Sequence, residues 1–155
     1  MSIVQISTFP INFDLPPEER YLEIWVNLGE KIKATFLKFF DFIPSKRKDI
    51  FKKLTVLLEN TDPDYHAEIS SLASMINLPV WKCVAVDHCC EATTGCTSVL
   101  AKMVDEEGRG KVVHGRNLDY PVDVELMREV LVKAVYYKGG KEVCTSKWAI
   151  WWEGF

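Results

Sequence analysis

No apolar run in this 155-residue chain approaches the roughly 18–20 residues that a membrane-spanning helix needs. A charged start followed by an apolar signal core is missing too, because MSIVQISTFPINFD is broken by Ser, Thr, Pro and Asp. Nothing in the chain as it stands is therefore expected to send it into the secretory pathway. Asn-x-Ser/Thr acceptors are absent, since Asn60-Thr61-Asp62 does not qualify. No CxxC pair occurs, and the five cysteines (Cys83, Cys89, Cys90, Cys96, Cys144) are an odd number, so at least one has no partner within the chain. A zinc site built from Cys83, His88, Cys89 and Cys96 lacks the paired ligand spacing of structural sites, and thiols packed as small hydrophobes are the plainer reading. An excess of positive charge is lacking as well: 19 Lys and Arg face 22 Asp and Glu, a net −3. That balance speaks against a uniformly basic nucleic-acid binder, so no nucleic acid is expected as a partner. Internal repeats and low-complexity stretches are also missing. With 48% apolar and 26% charged residues, the composition is that of a globular domain.

The charge is unevenly placed. Between Lys31 and Lys53 stand eight Lys and Arg against two acids, a local excess of six, so the remainder carries −9 against the total of −3. The first half has helical periodicity. Pro16-Pro17-Glu18-Glu19 is a good helix start, with proline early and acids at the positive end of the dipole. From there Leu22, Trp25, Val26, Ile32, Phe36, Phe39, Phe40 and Ile43 recur near three, four and seven. Pro44-Ser45 interrupts the stripe, and Ile50, Phe51, Leu54, Leu57 and Leu58 resume it. Asp62 is a predicted N-cap with Pro63 in the first turn of a helix reaching Asn77. Pro79 is predicted to open a further helix through Trp81, Val84 and Ala85 to about Cys90.

The second half changes character. Cys96 to Val104 suits a strand, Asp105 to Gly110 a turn, and Lys111 to Tyr120 the return strand. Val130 to Tyr137 is a further strand candidate, Gly139-Gly140 a hairpin turn, and Glu142 to Trp152 the strand that follows. The predicted fold class is α+β, a helical layer followed by antiparallel β-hairpins.

The junction at Gly95-Cys96 holds the most chemistry. A glycine precedes Cys-Thr-Ser at a strand start, and the next strand carries His114-Gly115-Arg116-Asn117-Leu118-Asp119-Tyr120-Pro121. If Cys96 and Asp119 share one end of a hairpin, a thiol, a guanidinium and a carboxylate converge there. Arg116 and Asp119 differ by three, so on a regular strand they lie on opposite faces, and both reach one site only through a bulge or twist after Gly115. An ordinary hairpin with a surface Arg–Asp pair fits the same spacing.

TGCTSVLAK followed by VVHGRNLDYP resembles the acid ceramidase and N-acylethanolamine-hydrolysing acid amidase family of N-terminal nucleophile hydrolases, with NLDYP closer to the acid amidase branch. INFDLPPEERY resembles the start of the family's mature chain, and EISSLASMINLPVWKCVAVDHCCEATTGCTS the segment leading into its nucleophile. The resemblance covers most of residues 10–137. It implies self-cleavage between Gly95 and Cys96, which divides the chain into residues 1–95, the helical α-subunit-like segment, and residues 96–155, the start of the catalytic subunit. It implies Cys96 as N-terminal nucleophile, Asp119 as the group holding the freed amine, and Arg116 as the residue orienting amine, thiol or substrate carbonyl. A freed α-amine titrates at about 7.7–8.0 and can serve as base for its own thiol. No metal or cofactor is required. His114 fits a structural hydrogen bond beside Gly115 better than a proton shuttle.

The substrate so implied is a fatty acid amide, ceramide or N-acylethanolamine, and the cleaved subunits form a heterodimer. The implied fold is an αββα sandwich, present only in part because the family's chains are longer. The family's oxyanion-hole asparagine has no counterpart here. A lysosomal location is implied by the resemblance alone. The basic segment fits peripheral membrane contact through residues 36–53, where Phe36, Phe39, Phe40 and Phe42 accompany Lys46, Arg47 and Lys48. A Phe stripe at helical spacing is more often core, and a Lys run more often a solvated face. Trp148, Trp151, Trp152 and Phe155 would end the chain on an exposed aromatic edge. Two readings follow: a piece of a lipid amidase with authentic catalytic positions, or a non-catalytic relative that binds lipid or a full-length partner.

Overall fold

A computed structural model describes residues 6–93, 95–104, 108, 110–119 and 128–149; at 89–93, 95–98, 111, 113–119 and 146–149 it describes the backbone alone. The expected Tyr120 and the aromatic positions Trp151, Trp152 and Phe155 lie outside the described residues, as does the side chain of Trp148. The chain divides into two compact units, Met1–Cys89 with Val122–Phe155, and Cys90–Pro121.

The larger unit holds the helices and a three-stranded mixed sheet. A single 3₁₀ turn, Pro17–Glu19, stands where the Pro-Pro-Glu-Glu start is, and the long helix α1 (Leu22–Asp41) begins only after it. Ile32, Phe36, Phe39 and Phe40 of the predicted stripe are buried, so the Phe cluster is core, while Val26 and Phe42 are largely exposed. A second 3₁₀ turn at Ser45–Arg47 leads into α2 (Lys48–Thr61). The stripe on α2 does not become core: the helix buries no residue, and Ile50, Val56 and Leu57 are each more than half exposed. Helix α3 (Pro63–Met75) starts as expected, with the Asp62 carboxylate accepting from the Tyr65 amide at 3.2 Å and Pro63 in the first turn. Helix α4 (Val80–Thr93) buries four successive residues, Cys83 to Val86, and Asp87 after them. Apolar side chains on all sides of a helix require packing all round it.

The strands differ from expectation in one respect. β4 (Leu131–Lys138) and β5 (Lys141–Ala149) form the expected antiparallel hairpin, but β1 (Ser7–Asn12) joins it in parallel, giving the order β1-β4-β5 and a mixed sheet. Phe9 and Ile11 of β1 and Val132, Ala134 and Tyr136 of β4 alternate into the core. Pro10 is tolerable because β1 is an edge strand, where a missing N–H breaks no ladder bond. Gly139 (φ 59°) and Gly140 (φ 71°) form a tight hairpin turn of the left-handed kind that β-carbons disfavour.

Two polar clusters, one buried and one half-buried, tie these elements together. Tyr65 donates to the Asp87 carboxylate at 2.6 Å, joining α3 to α4. Arg20, just past the first 3₁₀ turn, donates to Glu68 at 2.9 Å and Asp64 at 3.1 Å, both on α3. Glu68 is 5% exposed.

The smaller unit is an antiparallel hairpin, β2 (Gly95–Val104) and β3 (Gly110–Asp119), joined through Gly108 (φ 80°). Leu100, Val104 and Val112 share one face of it by register and Val99 and Met103 the other, and all five are more than half exposed.

Candidate active site

Gly95 and Cys96 open β2, two residues after α4 ends. In the ladder Gly95 stands opposite Asp119, Cys96 opposite Leu118, and Ser98 opposite Arg116. Cys96 and Asp119 thus lie at the same end of one hairpin, the condition on which convergence depended. The pairing runs from Gly95–Asp119 to Val104–Gly110 one residue for one, without a shift at Gly115. The bulge that would bring Arg116 and Asp119 to one face is therefore not in the ladder. Strand alternation puts Cys96, Ser98, Arg116 and Leu118 on one face, with Thr97, Asn117 and Asp119 on the other. His114, opposite Leu100, is on the face of Cys96.

Cys96 and Arg116 are diagonal neighbours on that face, about 7–8 Å apart by ladder geometry, a separation long side chains span. The amide nitrogen of Cys96 lies in the strand backbone between the Gly95–Asp119 and Cys96–Leu118 pairs.

The other described cysteines have ordinary surroundings. Cys83 is fully buried, and burial pushes its thiol up to about 12, with Asp87 adding to the shift, which keeps it protonated and unreactive. Cys144 is exposed on β5. His88 is half-buried with its ring 5.8 Å from that of Tyr65, and His66 is also half-buried on α3.

One group with a displaced titration escaped the sequence reading. Burial drives the Glu68 carboxyl up to about 7 although Arg20 pulls it down, with Asp64 and Asp62 raising it further. A single glutamate on an amphipathic helix reads as solvent-facing, and only the approach of Arg20 from 48 residues away marks it.

No protein-family model matches the chain. Among curated proteins, the N-acylethanolamine-hydrolyzing acid amidase of Cavia porcellus is 34% identical over 139 residues, covering 88% of this chain and 38% of the relative. The acid amidase of Oryctolagus cuniculus is 29% identical over 141 residues, covering 89% and 38%. The acid ceramidase of Macaca fascicularis is 29% identical over 120 residues, covering 74% and 29%. The chain thus spans between about three-tenths and two-fifths of the length of these relatives. The match takes in relatives of both kinds and extends well beyond the hairpin motifs, so the chain belongs to the family of acid ceramidase and N-acylethanolamine-hydrolyzing acid amidase.

Proposed function

We propose that this chain is the part of a lipid amidase that carries its nucleophile, and that Cys96, freed by self-cleavage after Gly95, attacks the amide bond of a fatty acid amide. The observation that carries the reading is the face shared by Cys96 and Arg116. It continues into Leu100, Val104 and Val112, a strip of apolar side chains interrupted by Lys102, next to a nucleophile position. A lipid acyl chain is a ligand suited to such a strip.

In self-cleavage the Cys96 thiol attacks the Gly95 carbonyl carbon, the peptide C–N bond breaks, and the released amine takes a proton. Water hydrolyses the resulting thioester, leaving the Gly95 carboxylate and a Cys96 with both thiol and α-amine free. In turnover the amine accepts the thiol proton, sulfur attacks the substrate carbonyl, and the amine returns the proton to the departing sphingoid base or ethanolamine. Water, deprotonated by the same amine, then cleaves the acyl thioester. Asp119, beside the new amine, holds it. Arg116, on the thiol's face, steadies the developing oxyanion or orients the thiol.

The wider setting belongs to the same proposal. Residues 1–95 and 96–155 are the two products of cleavage and stay together as a heterodimer, within an αββα sandwich of which this chain supplies part. The hairpin with apolar side chains on both faces supports that setting, because a two-stranded ribbon is marginal alone and both of its faces need covering. The same exposure also favours the second reading, a non-catalytic relative that binds lipid or a full-length partner. The acidic location is lysosomal. Hydrolysis assays with a fluorogenic N-acylethanolamine and a fluorogenic ceramide, at acid and neutral pH, separate the readings. Turnover of either substrate that Cys96→Ala removes is expected, and turnover indifferent to Cys96→Ala would refute the proposed nucleophile.

Membrane contact is narrower than residues 36–53. Phe36, Phe39 and Phe40 are core, which leaves Phe42 and Ile50, 63% and 62% exposed, beside the cations of residues 46–53. Among the described residues no single helix is long and apolar enough to cross a bilayer, and the proposed contact is an interfacial one. Phe42→Ser is expected to reduce sedimentation with anionic vesicles several-fold without shifting the unfolding midpoint; unchanged sedimentation would remove the patch from the account.

A further inference from the structure

We propose that residues 7–14 are a strand tether that holds the two products of chain cleavage together, with the β4–β5 hairpin as its partner surface. The inference rests on the reading that the chain is cut before Cys96, since that cut places β1 and β4 on different polypeptides.

β1 runs parallel to β4 from Ser7 opposite Val132 to Asn12 opposite Tyr137, and the Phe13 amide extends the ladder to the Tyr137 carbonyl at 2.9 Å. The ring of Phe13 stacks on Tyr136 at 5.5 Å, and Phe9 and Ile11 are buried. Asp14 closes the arrangement: one carboxylate oxygen accepts from the Gly139 amide at 2.9 Å and the other from the Gly140 amide at 3.3 Å. The positive φ angles of those two glycines make a turn whose adjacent N–H groups both reach one carboxylate.

These contacts fix the register as well as the affinity. A slip of one residue moves Asp14 about 3.3 Å from the turn and sends Phe9 and Ile11 to the outer face. The two bonds to Asp14 are charge-assisted, and a carboxylate has an acceptor for each amide. The ion pair between Lys31 and Glu129, 3.8 Å apart and half-exposed on both sides, also crosses between the products but adds little.

The test uses the whole chain in a Cys96→Ala background, with a protease recognition sequence inserted between α4 and β2. After cutting, the pieces are followed by size-exclusion chromatography and native mass spectrometry. They are expected to remain a 1:1 complex. Asp14→Ala is expected to raise the dissociation constant about tenfold or more, with Asp14→Asn, which keeps one acceptor oxygen, falling between. Oxidation of a Thr8→Cys, Lys133→Cys double variant, at register partners, is expected to link the pieces covalently. Separation in native buffer with the tether intact would overturn the proposal. So would a complex indifferent to Asp14→Ala, or a failure of the cysteine pair to cross-link. Because an external protease makes the cut, a chain that fails to cut itself would sink the catalytic reading and leave this result readable.

Discussion

Arg116→Ala is expected to lower amide hydrolysis by about 10²–10³-fold, while Cys96→Ala abolishes both hydrolysis and chain cleavage. The difference follows from position. In the proposed mechanism Cys96 supplies the atom that forms the bond, whereas Arg116, placed diagonally across the ladder on the same face, acts on charge as it develops. A positioned cation worth three or four kilocalories in a dry site gives a loss of about that size. Asp119 lies on the other face, opposite Gly95, and its effect should appear in the pH profile rather than mainly in the plateau rate. A carboxylate beside the α-amine favours the ammonium form and raises its pKa. Asp119→Asn is therefore expected to move the acidic limb of kcat/KM toward lower pH by about one unit. An Arg116→Ala variant with full turnover would exclude the arginine from the site, and an unmoved limb would exclude Asp119 from contact with the amine.

Glu68→Gln is expected to flatten the dependence of folding stability on pH between about 4.5 and 8. The carboxyl rises from its usual 4.5 to about 7, with burial as the largest cause. A folded-state pKa above the unfolded one means that the folded chain holds the proton more tightly. The resulting stabilisation is complete below the unfolded pKa and is lost as pH rises through about 7. A shift of this size corresponds to roughly 3 kcal/mol between the two ends of the window. Protonation leaves Arg20 its second partner, Asp64, at 3.1 Å, so the acid form keeps an ion pair while shedding a buried charge. Denaturant midpoints for both proteins at half-unit steps would show the wild-type chain gaining stability toward acid and Glu68→Gln changing less. Parallel curves would contradict the assignment.

Much of the helical half is legible from local signals. Asp62 with Pro63 behind it marks a start that the side chain then makes by capping, and Phe36, Phe39 and Phe40 are buried as a stripe of that spacing allows. Hairpin turns at Gly108 and at Gly139-Gly140 follow from glycine alone. What escapes is non-local. STFPIN has only Phe9 and Ile11 to suggest alternation and a proline between them, and its strand character comes from β4, more than a hundred residues later. Apolar residues on α2 read as core because periodicity reports amphipathicity, not what is available to cover the helix. At the site, motif and register together place Cys96, Arg116 and Asp119 at one hairpin end, and the alternation that separates Arg116 from Asp119 was visible from their spacing of three. The proposed division of labour between thiol face and backbone amine needed the register.

The central claim is that Gly95–Cys96 is a self-cleaving junction, and intact-mass spectrometry of the purified chain after incubation at pH 4.5 and pH 7.5 tests it most directly. Splitting at acid pH into residues 1–95 and 96–155, absent in Cys96→Ala, is the expected result. An uncut mass under both conditions, or a cut that survives Cys96→Ala, would contradict it.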